Sequence, residues 1–150
     1  IRKSVFETNS SSTHSICVSV GAPIDIPDTI TFEGGEFGWG YDVLRTEYEK
    51  ASYLFTAFQY DLDEWSQITA MLVDAGIGNI IVKTPSPDDF FYIDHSEDLA
   101  KFRKEMLSSK ESLLQFLFSG LSFIITGNDN DAHDVSIEVN YPHHTFYKGN

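Results

Sequence analysis

The chain has 150 residues, 41% of them hydrophobic and 14% aromatic, with 12 Phe and 7 Tyr. A chain of this size buries about 70% of its unfolded surface, so the composition excludes disorder and predicts one domain, residues 1–150, with a real core. Against 23 Asp and Glu stand only 10 Lys and Arg, a net charge of -13, which disfavours direct nucleic-acid binding and anionic membranes as partners.

In chain order, residues 1–12 are polar and carry no period. His14-Ser-Ile-Cys-Val-Ser-Val20 then alternates as a strand does, within a strand over 13–20. With Ile16, Val18 and Val20 on the core side, Cys17 faces away beside Ser15 and Ser19. His14, three residues from Cys17, falls on the opposite face, which argues against a Cys–His nucleophile. Cys17 is the sole cysteine, so no intrachain disulfide forms. A second strand is predicted at 29–33, and Gly34–Gly40 reads as a Gly/aromatic loop. Leu44, Tyr48, Ala51, Phe55 and Phe58 are spaced for a helix near 42–59.

Asp61 is the expected N-cap of a second helix, with Glu64 at capping-box spacing, a stripe of Leu62, Trp65, Ile68, Leu72 and Ala75, and Gly76 as its stop. A buried strand fits 79–84, and a short one fits 90–93. Ser96 is the expected cap of a third helix carrying Leu99, Phe102 and Met106. Ser108-Ser-Lys-Glu111 starts a fourth with Leu113, Phe116 and Leu117. Strands are expected at 121–126 and 134–140, joined by a hairpin loop at 127–131. This order is not the alternation of a doubly wound fold. It predicts an α+β fold: a mixed or mainly antiparallel sheet with about four helices packed on one face. No apolar run approaches the ~20 residues of a membrane span, and the first residues lack a signal peptide's apolar region, so a cytoplasmic location is expected.

The acids (Glu33, Glu36, Asp42, Glu47, Glu49, Asp61, Asp63, Glu64, Asp88 and Asp89 among them) are spread as on solvated helix faces rather than gathered in one tract. No GxGxxG, Walker, HExxH, CxxC or GxSxG motif is present. Nothing calls for a cofactor. The unusual segment is Thr8, Asn9, Ser10, Ser11, Ser12, Thr13, His14 and Ser15, a run of hydrogen-bonding side chains leading into a core strand. Its hydroxyls and backbone N–H groups suit a phosphate, carboxylate or sugar, and His14 suits an added charge-assisted bond or proton. Composition alone also fits a flexible serine-rich loop. Three further polar clusters fall at element ends. They supply Tyr92, Asp94 and His95; Asn128, Asp129 and Asn130; and His143, Tyr147 and Lys148. A metal set of His14, Asp94 or His95, and His143 has no diagnostic spacing.

Ser4–Ser15, read as SVFETNSSSTHS, resembles the N-terminal signature of a family of small proteins from phages and Firmicutes. Tyr92–His95, Phe123–Asn130 and Tyr147–Asn150 are similar to later segments of such proteins. The resemblance implies a phage or phage-derived setting, in which small acidic proteins interfere with host systems, and implies no particular reaction. Three function classes follow. The first is a binder of a small polar or nucleotide-like ligand, sequestering a host defence signal. The second is an acidic inhibitor of a host protein that mimics nucleic acid. The third is a hydrolase or nucleotide-processing enzyme using His14 or His95. Self-association is left open.

Overall fold

The computed structural model describes residues 12–38, 41–83, 92–93, 99–128 and 142–148. Its strands are β1 (Ser12–Ser19), β2 (Thr29–Phe32), β3 (Glu36–Phe37), β4 (Asp42–Leu44), β5 (Asn79–Val82), β6 (Tyr92–Ile93), β7 (Phe123–Asn128) and β8 (His143–Lys148). Its helices are α1 (Glu47–Phe58), α2 (Leu62–Asp74), α3 (Ala100–Ser108) and α4 (Lys110–Phe118). The fold is α+β. Four strands pair antiparallel in the order β4-β7-β1-β8, while β2 with β5 and β3 with β6 form two small parallel pairs.

The register makes β1 the spine of the larger sheet. Leu44, Ile124, Ile16 and Phe146 stand in one row across all four strands. Ile16, Leu44 and Ile124 are buried against Leu54, Phe58, Phe116 and Leu117 of α1 and α4, and Phe146 packs at the margin. Val18 continues this inner face, because alternate residues of a strand share a side.

Helix α1 is enclosed on most of its circumference: Lys50–Leu54 and Thr56–Phe58 are all buried. It starts at a full capping box, in which Thr46 accepts from the Glu49 N–H and Glu49 accepts from the Thr46 N–H. That cap divides the helix expected near 42–59. Residues 42–44 are instead strand β4, paired with Thr126–Ile124. Helix α2 has the expected cap, Asp61 Oδ1 accepting from the Glu64 N–H at 3.0 Å. It ends before Gly76, whose φ of 111° suits a residue without Cβ. Ile68 and Leu72 are buried as expected, but Leu62 is 76% exposed.

Several expectations need correction. The 34–40 segment is not all loop, since Glu36–Phe37 pairs with Tyr92–Ile93. Strand β5 is not buried: Ile81 and Val82 are 46% and 42% exposed. Ser109, one residue later than the first serine of the expected box, caps α4 by accepting from the Ser112 N–H at 3.1 Å. Helix α3 opens at Leu99 with no side-chain cap; Ser96 lies outside the described residues. Gly127 and Asn128 belong to β7 rather than to a hairpin loop, and β8 lies across β1 from β7. The strand expected at 134–140 lies outside the described residues, while β8, which the sequence reading leaves as an element end, is a strand of six residues.

Buried polar groups knit the end of β1 to the α4–β7 turn. Ser122 Oγ accepts from the Ser19 N–H at 2.9 Å and donates to the Gln115 carbonyl at 2.8 Å. Gln115 Oε1 accepts from Ser19 Oγ at 2.6 Å and from the Ala22 N–H at 3.2 Å, and its Nε2 donates to the Ala22 carbonyl at 2.8 Å. Lys50, 1% exposed, reaches the same turn from α1 and donates to the Ser119 and Ser122 carbonyls at 2.6 and 3.0 Å. A cation at the C-terminal end of α4 also complements its dipole. Burial lowers the Lys50 pKa from the ordinary 10.5 to about 8; Glu47 and Glu49 oppose that shift and Arg45 adds to it.

Candidate functional site

The polar run enters the sheet as β1. Ser12, Thr13, His14 and Ser15 pair with Asn128, Gly127, Thr126 and Ile125 of β7 on one side. On the other side His14 pairs with Lys148 and Ser15 with Tyr147 of β8. Thus Ser12, Thr13, His14, Ser15, Asn128, Tyr147 and Lys148 come together at one end of one sheet. Thr8, Asn9, Ser10, Ser11, Asp94, His95, Asp129 and Asn130 lie outside the described residues.

Two candidates do not join this group. His143 pairs with Ser19 at the opposite end of β1, five residues or ~17 Å from the His14 pairing. Five residues is an odd step, so the two histidines also take opposite faces. The set of His14 and His143 around one metal is therefore corrected. Among the described residues no group of three or more His, Cys, Asp or Glu side chains is gathered as a metal would need. Tyr92 stands in β6, in the small pair with β3 rather than in the four-stranded sheet.

His14 sits on the same face as Ile16 and Val18 and is 0% exposed. Its Nδ1 lies 2.6 Å from the Tyr53 hydroxyl of α1, with the two rings 5.7 Å apart. Burial holds the Tyr53 phenol protonated, its pKa raised well above 10. Tyr53 in turn contacts Phe37 and Phe102 edge to face, which fixes the ring that fixes His14. The imidazole is therefore a core group beneath the strand ends, not a side chain on an open surface. The alternation that assigns Ile16 and Val18 to the core carries that signal, because His14 has their parity. Tyr53 has no comparable signature, since it falls off the helical stripe read from the sequence.

One row beyond the apolar one, Asp42, Thr126, His14 and Lys148 occupy the register positions across β4, β7, β1 and β8. Thr126 is buried beside His14 and Asp42 is exposed at the edge. The sheet therefore passes from apolar core to a row of hydrogen-bonding residue types within one step along β1. The outer face is different in kind. Cys17 is buried there, paired with Phe123 and Thr145, and Arg45 covers the Phe123 ring at 4.7 Å. Burial raises the Cys17 thiol pKa against the opposing charge of Arg45, so this thiol is poorly suited to nucleophilic work.

The register gathers hydrogen-bonding residue types on adjacent strand ends, with the buried His14–Tyr53 pair in the core beside them. It suits hydrogen-bond recognition of a polar ligand better than proton transfer, because a general acid or base must reach its substrate. No protein-family model, curated protein or solved structure matches the chain.

Proposed function

We propose that this protein binds a small polar or phosphorylated, nucleotide-like ligand at the end of the four-stranded sheet formed by residues 12–15, 126–128 and 147–148. The observation that carries the reading is the register: three polar segments remote in sequence occupy neighbouring positions on β7, β1 and β8. In this reading the three strand ends together recognise the phosphate and the base of the ligand. The buried His14 supports the strand ends through Tyr53. A phage-derived setting makes a host signalling nucleotide the ligand class to try first. Its full burial counts against His14 as the acid or base of a hydrolase.

The test is a thermal-shift and heteronuclear NMR titration with mono-, cyclic and oligonucleotides. A ligand at 100 times its Kd stabilises the folded state by about 2.7 kcal/mol, readily seen as a rise in Tm. Amide shifts confined to 12–15, 126–128 and 147–148, lost in Lys148→Met, are the expected result. A panel with no Tm change and no shifts in those segments overturns the proposal.

A further inference from the structure

A concave site lies away from the four-stranded sheet, at the corner where α1 turns into α2. It is a cleft of about 260 Å³ whose walls include Thr56, Gln59, Tyr60, Asp61, Ile93 and Arg103. That is below the roughly 300–1,000 Å³ of sites for whole drug-sized ligands, so it suits a single functional group.

Its electrostatics favour a cation. The last turn of α1 ends at this corner with no basic residue, and of its carbonyls Thr56 accepts from Gln59 Nε2 and Phe58 from the Asp61 N–H; the N-terminus of α2, at the same corner, is already capped by Asp61. Asp61 adds a carboxylate, of which Oδ1 accepts from the Glu64 N–H. Tyr60 lines the cleft and is 87% exposed, so its ring is accessible to a cation. Arg103 does not reverse this sign. Its guanidinium is ion-paired with Glu64 and lies 4.9 Å over the Phe58 ring. An incoming anion would have to displace an intramolecular carboxylate while passing Asp61, in a protein of net charge -13.

We infer that the α1–α2 corner is a binding site for a guanidinium or ammonium group, stacked on Tyr60 and held by Asp61 and the α1 C-terminus. The group's source is either a free small cation or a basic side chain on a partner protein. The inference is independent of the ligand proposed for the sheet.

The test titrates isotope-labelled protein with arginine amide, spermidine and a short oligo-arginine peptide, at near-physiological salt so that diffuse attraction is screened. Saturable shifts should appear at Gln59, Tyr60, Asp61, Ile93 and Arg103. Tyr60→Ala and Asp61→Asn should each weaken binding roughly three- to tenfold. Asn keeps the α2 cap, so the Asp61→Asn Tm should stay near the wild-type value. Glu111→Gln removes the same charge from the start of α4 and should leave affinity unchanged. Tight binding of the peptide with weak binding of arginine amide and spermidine upholds the site with a protein partner as the source. Comparable binding of all three upholds it with a free cation. Three results overturn the inference: no saturable shifts, equal weakening by Glu111→Gln and Asp61→Asn, or phosphate occupying the cleft in place of the cations.

Discussion

Replacing Lys50 by Met tests the energetics of the joint between α1 and the α4–β7 turn. Met keeps most of the aliphatic length, so the change chiefly removes the ammonium and its bonds to the Ser119 and Ser122 carbonyls. Two hydrogen bonds from a charged donor contribute about 1.5–3 kcal/mol each. Against that stands the cost of keeping the charge buried. A drop in pKa from 10.5 to about 8 makes the folded ammonium ~3 kcal/mol less favourable, relative to the neutral amine, than it is in the unfolded chain. The two terms leave Lys50→Met destabilised by ~0–3 kcal/mol at pH 7.

The pH dependence has a definite sign. Between about 8 and 10.5 the unfolded chain still holds the Lys50 proton while the folded protein has released it. Stability from this group therefore rises with pH across that window, by up to ~3 kcal/mol. A neutral amine retains two N–H donors for the two carbonyls, so the joint does not open. Urea melts of both proteins at pH 7 and pH 10 read the effect, and the wild type should gain on Lys50→Met as pH rises. A stability difference that is the same at pH 7 and pH 10 would refute the buried, desolvated ammonium.

Three further outcomes follow from the same contacts. Gln115→Leu strips partners from Ser19 Oγ and from both backbone groups of Ala22, and should lower unfolding free energy by about 2–4 kcal/mol in denaturant melts. Tyr53→Phe removes the hydroxyl 2.6 Å from His14 Nδ1; it should destabilise by ~1–2 kcal/mol and move the His14 ring nitrogen shifts, whereas unchanged shifts would dismiss the bond. Cys17, buried and with a raised pKa, should react with a thiol reagent far more slowly in the native protein than in urea; equal rates would place the thiol at the surface.

Elements that depend on short-range chemistry were legible in the sequence. The Asp61 cap, the Gly76 stop, the Leu113–Phe116–Leu117 stripe and the burial of Ile16 and Val18 recur in the structure, whereas Cys17 and Ser19 are buried as well and Val20, expected in the core, is 37% exposed beyond the end of β1. Elements defined by distant partners were not. Leu44 and Tyr48 stand four apart and read as one helix face, yet Leu44 ends β4, where it pairs with Ile124 of β7, and Thr46-x-x-Glu49 starts a new element. His143–Lys148 looks too polar for a strand because His143, His144 and Thr145 are all exposed and β1 supplies its pairing. Asn79–Val82 looks buried because apolar runs usually are, but it lies in a two-stranded pair that covers little of it. The candidate site divides the same way. Its polar run is visible locally, while its union with Asn128, Tyr147 and Lys148 is a matter of register. Lys50 carries no local sign of burial, since its acceptors are 69 and 72 positions away.

The position of β1 also has a bearing on biosynthesis. Among the described elements a ribosome delivers β1 before the helices, yet both strands that flank it, β7 and β8, follow all four of those helices. Pairings of such sequence separation close slowly, and chains emerge N-terminus first at about 5–20 residues per second. Helices α1 to α4 can therefore gather around their own apolar faces while β1 waits with both edges bare. Of the described strands, the first made is among the last to be completed. A nascent chain stalled before Phe123 exposes Ile16-Cys-Val18 to chaperones and to other chains.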